Sequence, residues 1–210
     1  MEALTAALLF LGSHALIART AIRPWLVQRI GEPGYLAGYS LLSLVLLAWL
    51  VMAILVAHRV PLWPTPSWAP VFAVVVSALA FALLGAGALS PNPYSVAFRR
   101  AGFEPKRPGI VGWLRHPLIY GFGLWGLAHV PANGEWPPLL LFAGTVVFAL
   151  LGARSVGRRR APGVLGPGGL DRQAVLGIAV GLLAWGVFLC LHPLLFGADP
   201  LGLLRAQLGV

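Results

Sequence analysis

The sequence is poor in charged residues, and above all in acidic ones. Charged residues make up 10% of its 210 residues, against about 25% in soluble domains. The six carboxylates are Glu2, Glu32, Glu104, Glu135, Asp171 and Asp199. None of them lies in the middle of an apolar run. This distribution argues against a catalytic pair of carboxylates and against a carboxylate proton relay across a membrane.

Several other motifs are missing. Cys190 is the one cysteine, so the sequence offers neither a disulfide framework nor a CxxC metal site. It contains no HExxH motif and no glycine-rich nucleotide loop after a strand. Basic residues outnumber acidic ones by fifteen to six, but they do not form the aromatic-interleaved patch of a nucleic-acid-binding surface. We therefore expect no nucleic-acid partner.

Apolar residues dominate the composition instead. They make up 59% of the chain, and the mean hydropathy is +0.84. A membrane-spanning helix needs about 20 apolar residues, and six runs approach this length. The runs cover 2–18, 35–57, 69–89, 113–131, 137–153 and 173–196. The sequence thus predicts an all-α, polytopic transmembrane bundle of about six helices, a single domain over 1–210 embedded in the lipid bilayer.

The basic residues indicate how the helices are oriented. All except Arg59 and Arg205 lie in or next to the segments that join runs one and two, three and four, or five and six. The positive-inside rule then predicts inner loops at 19–34, 90–112 and 154–172. Both termini are expected on the outer face, which in a bacterial inner membrane is the periplasm.

Two of these inner loops have recognisable sequence features. NPYSVAFRRAGFEPKRPG (92–109) makes the longest one, and we expect a short interfacial helix in it around 94–101. GRRRAPGVLGPGG (157–169) is rich in glycine and proline and is predicted to be a flexible loop.

Five histidines are the best candidates for chemistry. His14 lies within the first run and His129 near the end of the fourth, and an ionisable side chain inside a membrane is costly enough to suggest a function. Neutral imidazole is also a ligand for haem iron, copper or zinc. His58 is best explained as an interfacial hydrogen-bonding residue. His192 and His116 are open to a structural or a functional interpretation.

Three segments together resemble a known family, the NnrU family. They are GSHALIARTAIRPWLVQRIGEPGYLAGYSLLSL (12–44), RHPLIYGFGLWGLAHVPANG (115–134) and LHPLLFGADPL (191–201). Family members are bacterial inner-membrane proteins linked by name to the regulation of nitrite and nitric oxide reductases. The family is similar to zeta-carotene isomerase, a membrane enzyme with haem b. The resemblance implies a haem-binding protein of nitrogen-oxide metabolism (denitrification) or sensing.

The resemblance to the isomerase implies two axial haem ligands. They are His14, which is followed by Gly31-Glu32, and His129, which ends the segment WGLAH. Gly126 stands where the isomerase has a cysteine implicated in ligand exchange. The similarity to the isomerase makes cis–trans isomerisation of a lipidic polyene an alternative function, although Gly126 cannot take part in such an exchange. A haem with only one protein ligand would instead leave a position for a diatomic ligand such as nitric oxide.

The predicted topology leaves other ligand pairs open. A rise of about 1.5 Å per residue from the outer face places His14 deeper in the membrane than His129. Opposed axial ligands need similar depths. His129 could therefore pair with His192 or His58, and His14 with His116.

The segment RHPLIYG also resembles the RHPxYxG segment of membrane methyltransferases that use S-adenosylmethionine. That resemblance implies a cofactor site at Arg115 and His116. Those enzymes carry a Glu-rich stretch after the next helix, whereas this sequence has Asp171 alone there. A structural interpretation has Arg115 at the lipid headgroups and Pro117 opening the helix. Methyl transfer is thus a second alternative, and the pattern assigns no catalytic residue.

Overall fold

The computed structural model describes residues 1–159 and 165–209 of the chain. In these ranges it contains seven α-helices, two very short strands and a 3-10 helix at Gly109–Gly112. The helices are α1 (Glu2–Arg19), α2 (Ile22–Val56), α3 (Ala69–Leu89), α4 (Pro117–His129), α5 (Pro138–Arg159), α6 (Arg172–Phe196) and α7 (Pro200–Leu208); the strands are β1 (Val60–Pro61) and β2 (Glu135–Trp136). Part of the predicted loop 157–169, namely 160–164, lies outside the described residues.

Within the described residues, four helices are long and apolar enough to cross a membrane: α2, α3, α5 and α6. The protein is therefore an all-α, multi-pass membrane protein, as predicted. The helices at the first and fourth predicted spans are shorter than these four: α1 has 18 residues and α4 has 13. A helix of 13 residues rises about 20 Å, less than the roughly 30 Å of a hydrocarbon core. The count of six spans stays a prediction.

The N-terminal end of α4 explains its short length. His116 has φ −128° and ψ 55° and is not helical. The residue before a proline is pushed away from the α-helical region by the proline ring, and Pro117 then takes the first helical position, where its missing N–H costs nothing. The helix consequently begins four residues after the predicted start at 113.

The predicted loop at 19–34 is instead largely helical, because α2 already begins at Ile22. Its location on the inner side stays a prediction. The helix is interrupted at Gly31, which has φ 73° and ψ 166°, a conformation open to glycine at little cost. Pro33 follows within the helix and has no N–H to donate. The sequence GEPG suggests a loop, but here it makes a kink between two helical segments. The predicted loop 154–172 is also shorter, because α5 continues to Arg159.

The predicted interfacial helix around 94–101 is also absent: this stretch is irregular. Asn92 holds it in that form. Its peptide N–H donates to the carbonyl of Arg99 at 2.9 Å, and its side-chain Oδ1 accepts from the N–H of Tyr94 at 3.0 Å. Asparagine side chains that bond nearby backbone compete with helix formation in this way.

The chain folds into two compact units. Unit 1 comprises Met1–Pro64 and Gly134–Gly144, and unit 2 comprises Thr65–Asn133 and Thr145–Val210. In unit 1, α1 packs on α2, and β1 pairs antiparallel with β2, with Val60 opposite Trp136. The expectation of a single domain over 1–210 stays a prediction.

Unit 2 is built on α3, which packs against both α6 and α4. Glycines at the α3–α6 crossing bring the two backbones into direct contact: a side chain at Gly85 would collide with the carbonyl oxygen of Gly177, and one at Gly181 with that of Phe81. On the other side of α3, a Cβ at Gly121 of α4 would lie 2.7 Å from Leu84 Cγ. Small residues at such crossings let membrane helices approach closely, so that packing and not side-chain polarity holds them.

Candidate functional site

His14 lies in unit 1, on the part of α1 that packs on α2. Its Nδ1 donates to the carbonyl oxygen of Phe10, four residues earlier, at 2.6 Å. Its Nε2 lies 3.5 Å from Ser43 Oγ of α2. The rings of Phe10 and Tyr39 stand edge-on to the imidazole, with centroids 4.9 and 5.4 Å away. The half-buried imidazole is thus held between one polar and two aromatic neighbours.

The bond to Phe10 determines where the proton of a neutral His14 resides. A carbonyl oxygen only accepts hydrogen bonds, so Nδ1 must carry the hydrogen. Nε2 then carries the lone pair. The Ser43 hydroxyl donates to the carbonyl of Tyr39 at 2.8 Å, a much shorter contact than its 3.5 Å approach to His14. This is the tautomer in which imidazole binds a metal through Nε2.

His129 in unit 2 has the same arrangement. It is the last residue of α4, and its Nδ1 donates to the carbonyl oxygen of Trp125 at 2.9 Å. The indole of Trp125 lies 5.0 Å from the imidazole, centroid to centroid. The backbone at this helix end is also fixed, because Asn133 Nδ2 donates to the His129 carbonyl at 2.8 Å. A neutral His129 therefore has its lone pair on Nε2 as well.

Gly126 is buried one turn before this histidine, and its carbonyl accepts from the N–H of Val130 at 3.2 Å. Other glycines of α4 serve helix packing, since a Cβ at Gly123 would lie 2.9 Å from the Cβ of Ala149 on α5. Gly121 and Gly123 of α4 are thus explained by helix packing.

The remaining histidines differ from one another. His58 is exposed just beyond the end of α2. His192 of α6 donates from Nδ1 to the carbonyl of Ala198 at 3.0 Å. Of the alternative ligand pairs considered from the sequence, His129 and His192 belong to the same compact unit.

His116 is buried, with 4% of its surface exposed. Its Nδ1 lies 2.9 Å from Ser95 Oγ, which is fully buried. Burial, reinforced by the neighbouring positive charge of Arg115, lowers the pKa of His116 below its ordinary 6.5. The imidazole is therefore neutral at pH 7.

Arg115 and His116 face different surroundings although they are adjacent. Arg115 is exposed, and its carbonyl accepts from Asn92 Nδ2 at 2.9 Å. His116 points inward, where a Cβ at Gly157 of α5 would lie 3.6 Å from its Nε2. Asn92 is 1% exposed. The RHP segment thus has a cationic outer residue above a small buried polar cluster of Asn92, Ser95 and His116.

The structure places Gly126, His129, Arg115 and His116 in unit 2 and His14 in unit 1. Sequence reasoning missed Ser43, Asn92 and Ser95, although the Asn between two prolines in PNPYS is a turn signal. Across the described ranges, no group of three or more His, Cys, Asp or Glu side chains converges to hold a bare metal ion. Haem differs from a bare ion because it needs only one or two axial ligands from the protein.

A family model described as "NnrU protein" matches residues 3–200 of the chain. The chain belongs to the NnrU family. The match includes every histidine discussed above and, except for Glu2, all six predicted spans. Neither the comparison with curated proteins nor that with solved structures returned a match. The similarity to zeta-carotene isomerase stays a prediction.

Proposed function

We propose that this NnrU family protein binds haem b in a bacterial inner membrane and serves nitrogen-oxide metabolism or sensing. The observation that carries the proposal is the hydrogen bond from Nδ1 of His129 to the carbonyl of Trp125. A histidine that ligates a metal generally donates its other ring N–H to such an acceptor, which fixes the ring and raises the basicity of the ligating nitrogen. His14 has the same bond within unit 1.

The lack of charged residues around His129 in the sequence also supports iron binding. His129 lies on a helix without an acidic or basic residue between Arg115 and Glu135, so its surroundings favour the neutral imidazole that iron requires. When bound, haem with one histidine ligand supplies an open iron position for a diatomic such as nitric oxide. This chain would hold and orient the cofactor.

The decisive experiment is an absorption spectrum of protein purified in detergent after expression with ample haem. We expect a Soret band in the wild type and its loss in His129→Ala, because the axial ligand is gone. A six-coordinate, low-spin spectrum would indicate a second protein ligand, and His14→Ala tests that residue in the same way. The matched control is His58→Ala, whose exposed histidine should be dispensable.

A smaller variant makes the test sharper. In His129→Gly, imidazole added to the buffer should occupy the space of the missing side chain and restore the band. A wild-type protein without a Soret band would refute the proposal, and so would a His129→Ala variant with an unchanged spectrum.

Two alternatives find less support in the structure. For S-adenosylmethionine-dependent methyl transfer, the buried contact between His116 and Ser95 is favourable. However, Asp171, the lone acid between α5 and α6 in the sequence, is engaged as the N-cap of α6 through a 2.7 Å bond from Ala174 N–H. Calorimetric binding of S-adenosylmethionine that His116→Ala abolishes would favour this function. For the isomerase, Gly126 offers no side chain for ligand exchange.

A further inference from the structure

The loop joining α3 to α4, which we call the cationic loop (residues 92–116), carries a patch of exposed positive charge. Its exposed cations are Arg99, Arg100, Lys106, Arg107 and Arg115. Glu104 is the one acid in this stretch. Among the described residues, the ion pairs join Arg23 to Glu32 and Arg59 to Glu135, and none involves the cationic loop. Within the part of the chain that the structure describes, the cations of the loop are therefore not paired with carboxylates.

One buried side chain orders this patch. The peptide N–H of Asn92 donates to the carbonyl of Arg99, and its side-chain Nδ2 donates to the carbonyl of Arg115, both at 2.9 Å. The backbone of Arg99 and that of Arg115, which are distant in the sequence, are thus both held by Asn92. Arg100 follows Arg99 directly. Because the backbone that carries these cations is already ordered, less entropy is lost when a ligand binds.

The cationic loop also packs against α3 and α6 through buried apolar residues. Ile110 and Val111 are 3% and 2% exposed and form an apolar cluster with Ala86 of α3 and Ala174 of α6. Tyr94 and Phe103 pack against the same cluster, with their rings edge to face at 5.2 Å. The cationic loop is therefore a packed part of unit 2.

Large apolar side chains stand among the cations on its outer surface. Val96, Phe98 and Trp113 are 56%, 78% and 60% exposed. Tryptophan is enriched at the membrane interface, and exposed apolar side chains beside basic ones insert between acyl chains while the cations meet headgroups. Exposed apolar side chains of this kind would not contribute to the binding of a water-soluble anion.

We propose that the cationic loop is a binding site for the headgroup of an anionic phospholipid. Arg99, Arg100 and Arg115 contact the phosphate, and Phe98 and Trp113 lie against the lipid chains. The positive-inside rule accounts for the sign of the charge on this side of the membrane, but not for a buried asparagine that holds the backbone of two of the arginines. Basic pockets beside the cytoplasmic ends of membrane helices bind anionic headgroups in this manner.

The test compares two triple variants that remove the same charge. One is Arg99→Gln/Arg100→Gln/Arg115→Gln; the matched control is Arg154→Gln/Arg158→Gln/Arg172→Gln, from the inner side near the ends of α5 and α6. Detergent-purified protein is titrated with phosphatidylglycerol or phosphatidylcholine, and bound lipid is counted by native mass spectrometry. We expect the preference for phosphatidylglycerol to fall about fivefold for each loop arginine removed and to remain in the control. Equal losses in both variants, or none in the first, would overturn the proposal.

Two further arms address geometry and ligand class. Asn92→Ala keeps every charge, so weaker phosphatidylglycerol binding in a folded variant shows that ordering matters; if this variant does not fold, the triple variants still decide. Excess inorganic phosphate should not displace bound phosphatidylglycerol, and displacement would indicate a site for a soluble anion and contradict the proposal. Haem spectra of the triple variants should match the wild type, which separates this inference from the proposed function.

Discussion

The hydrogen-bond partner of Nδ1 determines which tautomer each neutral histidine adopts. At His14 and His129 the Nδ1 hydrogen is directed to a carbonyl of the same helix, four residues earlier. At His116 the corresponding atom faces the hydroxyl of Ser95, which can donate or accept. The first two have the tautomer that the proposed haem binding requires, whereas His116 belongs to the buried cluster with Asn92 and Ser95.

His116 should make the stability of the protein dependent on pH. Its pKa is lowered in the folded protein, so the unfolded chain takes up a proton at a higher pH than the folded one. Its stabilising effect is therefore complete above the unfolded pKa of about 6.5 and is lost as the pH falls towards the folded value. We expect the Tm in detergent to decrease between about pH 8 and pH 5.5, with a weaker decrease in His116→Gln.

His58→Gln is the control for this measurement, because it removes an exposed imidazole and leaves the buried cluster of Asn92, Ser95 and His116 intact. An identical pH profile in the wild type and His116→Gln would argue against a contribution of His116.

The site residues were only partly predictable from the sequence. His14, His116 and His129 are visible because imidazoles in apolar segments are conspicuous. Asn92 and Ser95 are not, since their importance comes from burial at 1% and 0% exposure, and burial of a polar side chain in a loop depends on tertiary packing. No local periodicity records which loop residue will be covered by neighbouring helices.

The helices show which local signals are decisive. The predicted run 69–89 coincides with α3, and 173–196 differs from α6 by one residue at its start, because long uninterrupted apolar runs leave few alternatives. The shorter α4 and longer α2 depend on the residues around Pro117 and Gly31, where backbone conformation overrides hydropathy. The helix α7 was missed, although Asp199-Pro200 is an N-cap followed by proline, and Asp199 Oδ1 accepts from Gly202 N–H at 2.9 Å.

The kink in α2 should depend on Gly31. A Cβ there would meet nothing closer than Pro33 Cδ at 3.7 Å, so crowding is not the obstacle. The obstacle is the positive φ, which costs a residue with a side chain roughly 1–3 kcal/mol. We expect Gly31→Ala to lower the free energy of unfolding by about this amount, measured by chemical denaturation in mixed micelles.

Gly38→Ala, in the helical part of α2 where a Cβ would meet nothing within 4 Å, is the matched control. It should leave stability unchanged or raise it slightly, because alanine favours helix. Equal effects of the two substitutions would show that the break does not rely on glycine.

The chain as a whole is a multi-pass membrane protein whose basic residues are unevenly placed. Arg59 and Arg205 are the exceptions to an otherwise one-sided distribution along the sequence. Among the described residues, the helices long enough to span a membrane are α2, α3, α5 and α6. The orientation of the two termini depends on the distribution of basic residues among the loops and on whether the shorter helices α1 and α4 cross the membrane.

Reporter fusions test that orientation directly. Because the positive-inside rule places both termini on the outer face, a C-terminal alkaline phosphatase fusion should be active in a bacterial host. A fusion truncated within the cationic loop, after Lys106, should be inactive and serves as the internal comparison. A C-terminal green fluorescent protein that fluoresces in the cytoplasm would be incompatible with this topology.

The glycine contact between α3 and α6 has a consequence for biosynthesis. Gly85 and Gly177 meet backbone to backbone, yet about 90 residues separate them. At roughly 5–20 residues per second, the ribosome needs about 5–20 s to make the second helix after the first. During that interval the glycine face of α3 has no α6 to cover it, so the newly inserted helix must rest against lipid or the insertion machinery. Unit 2 therefore completes its core only after α6 has left the ribosome.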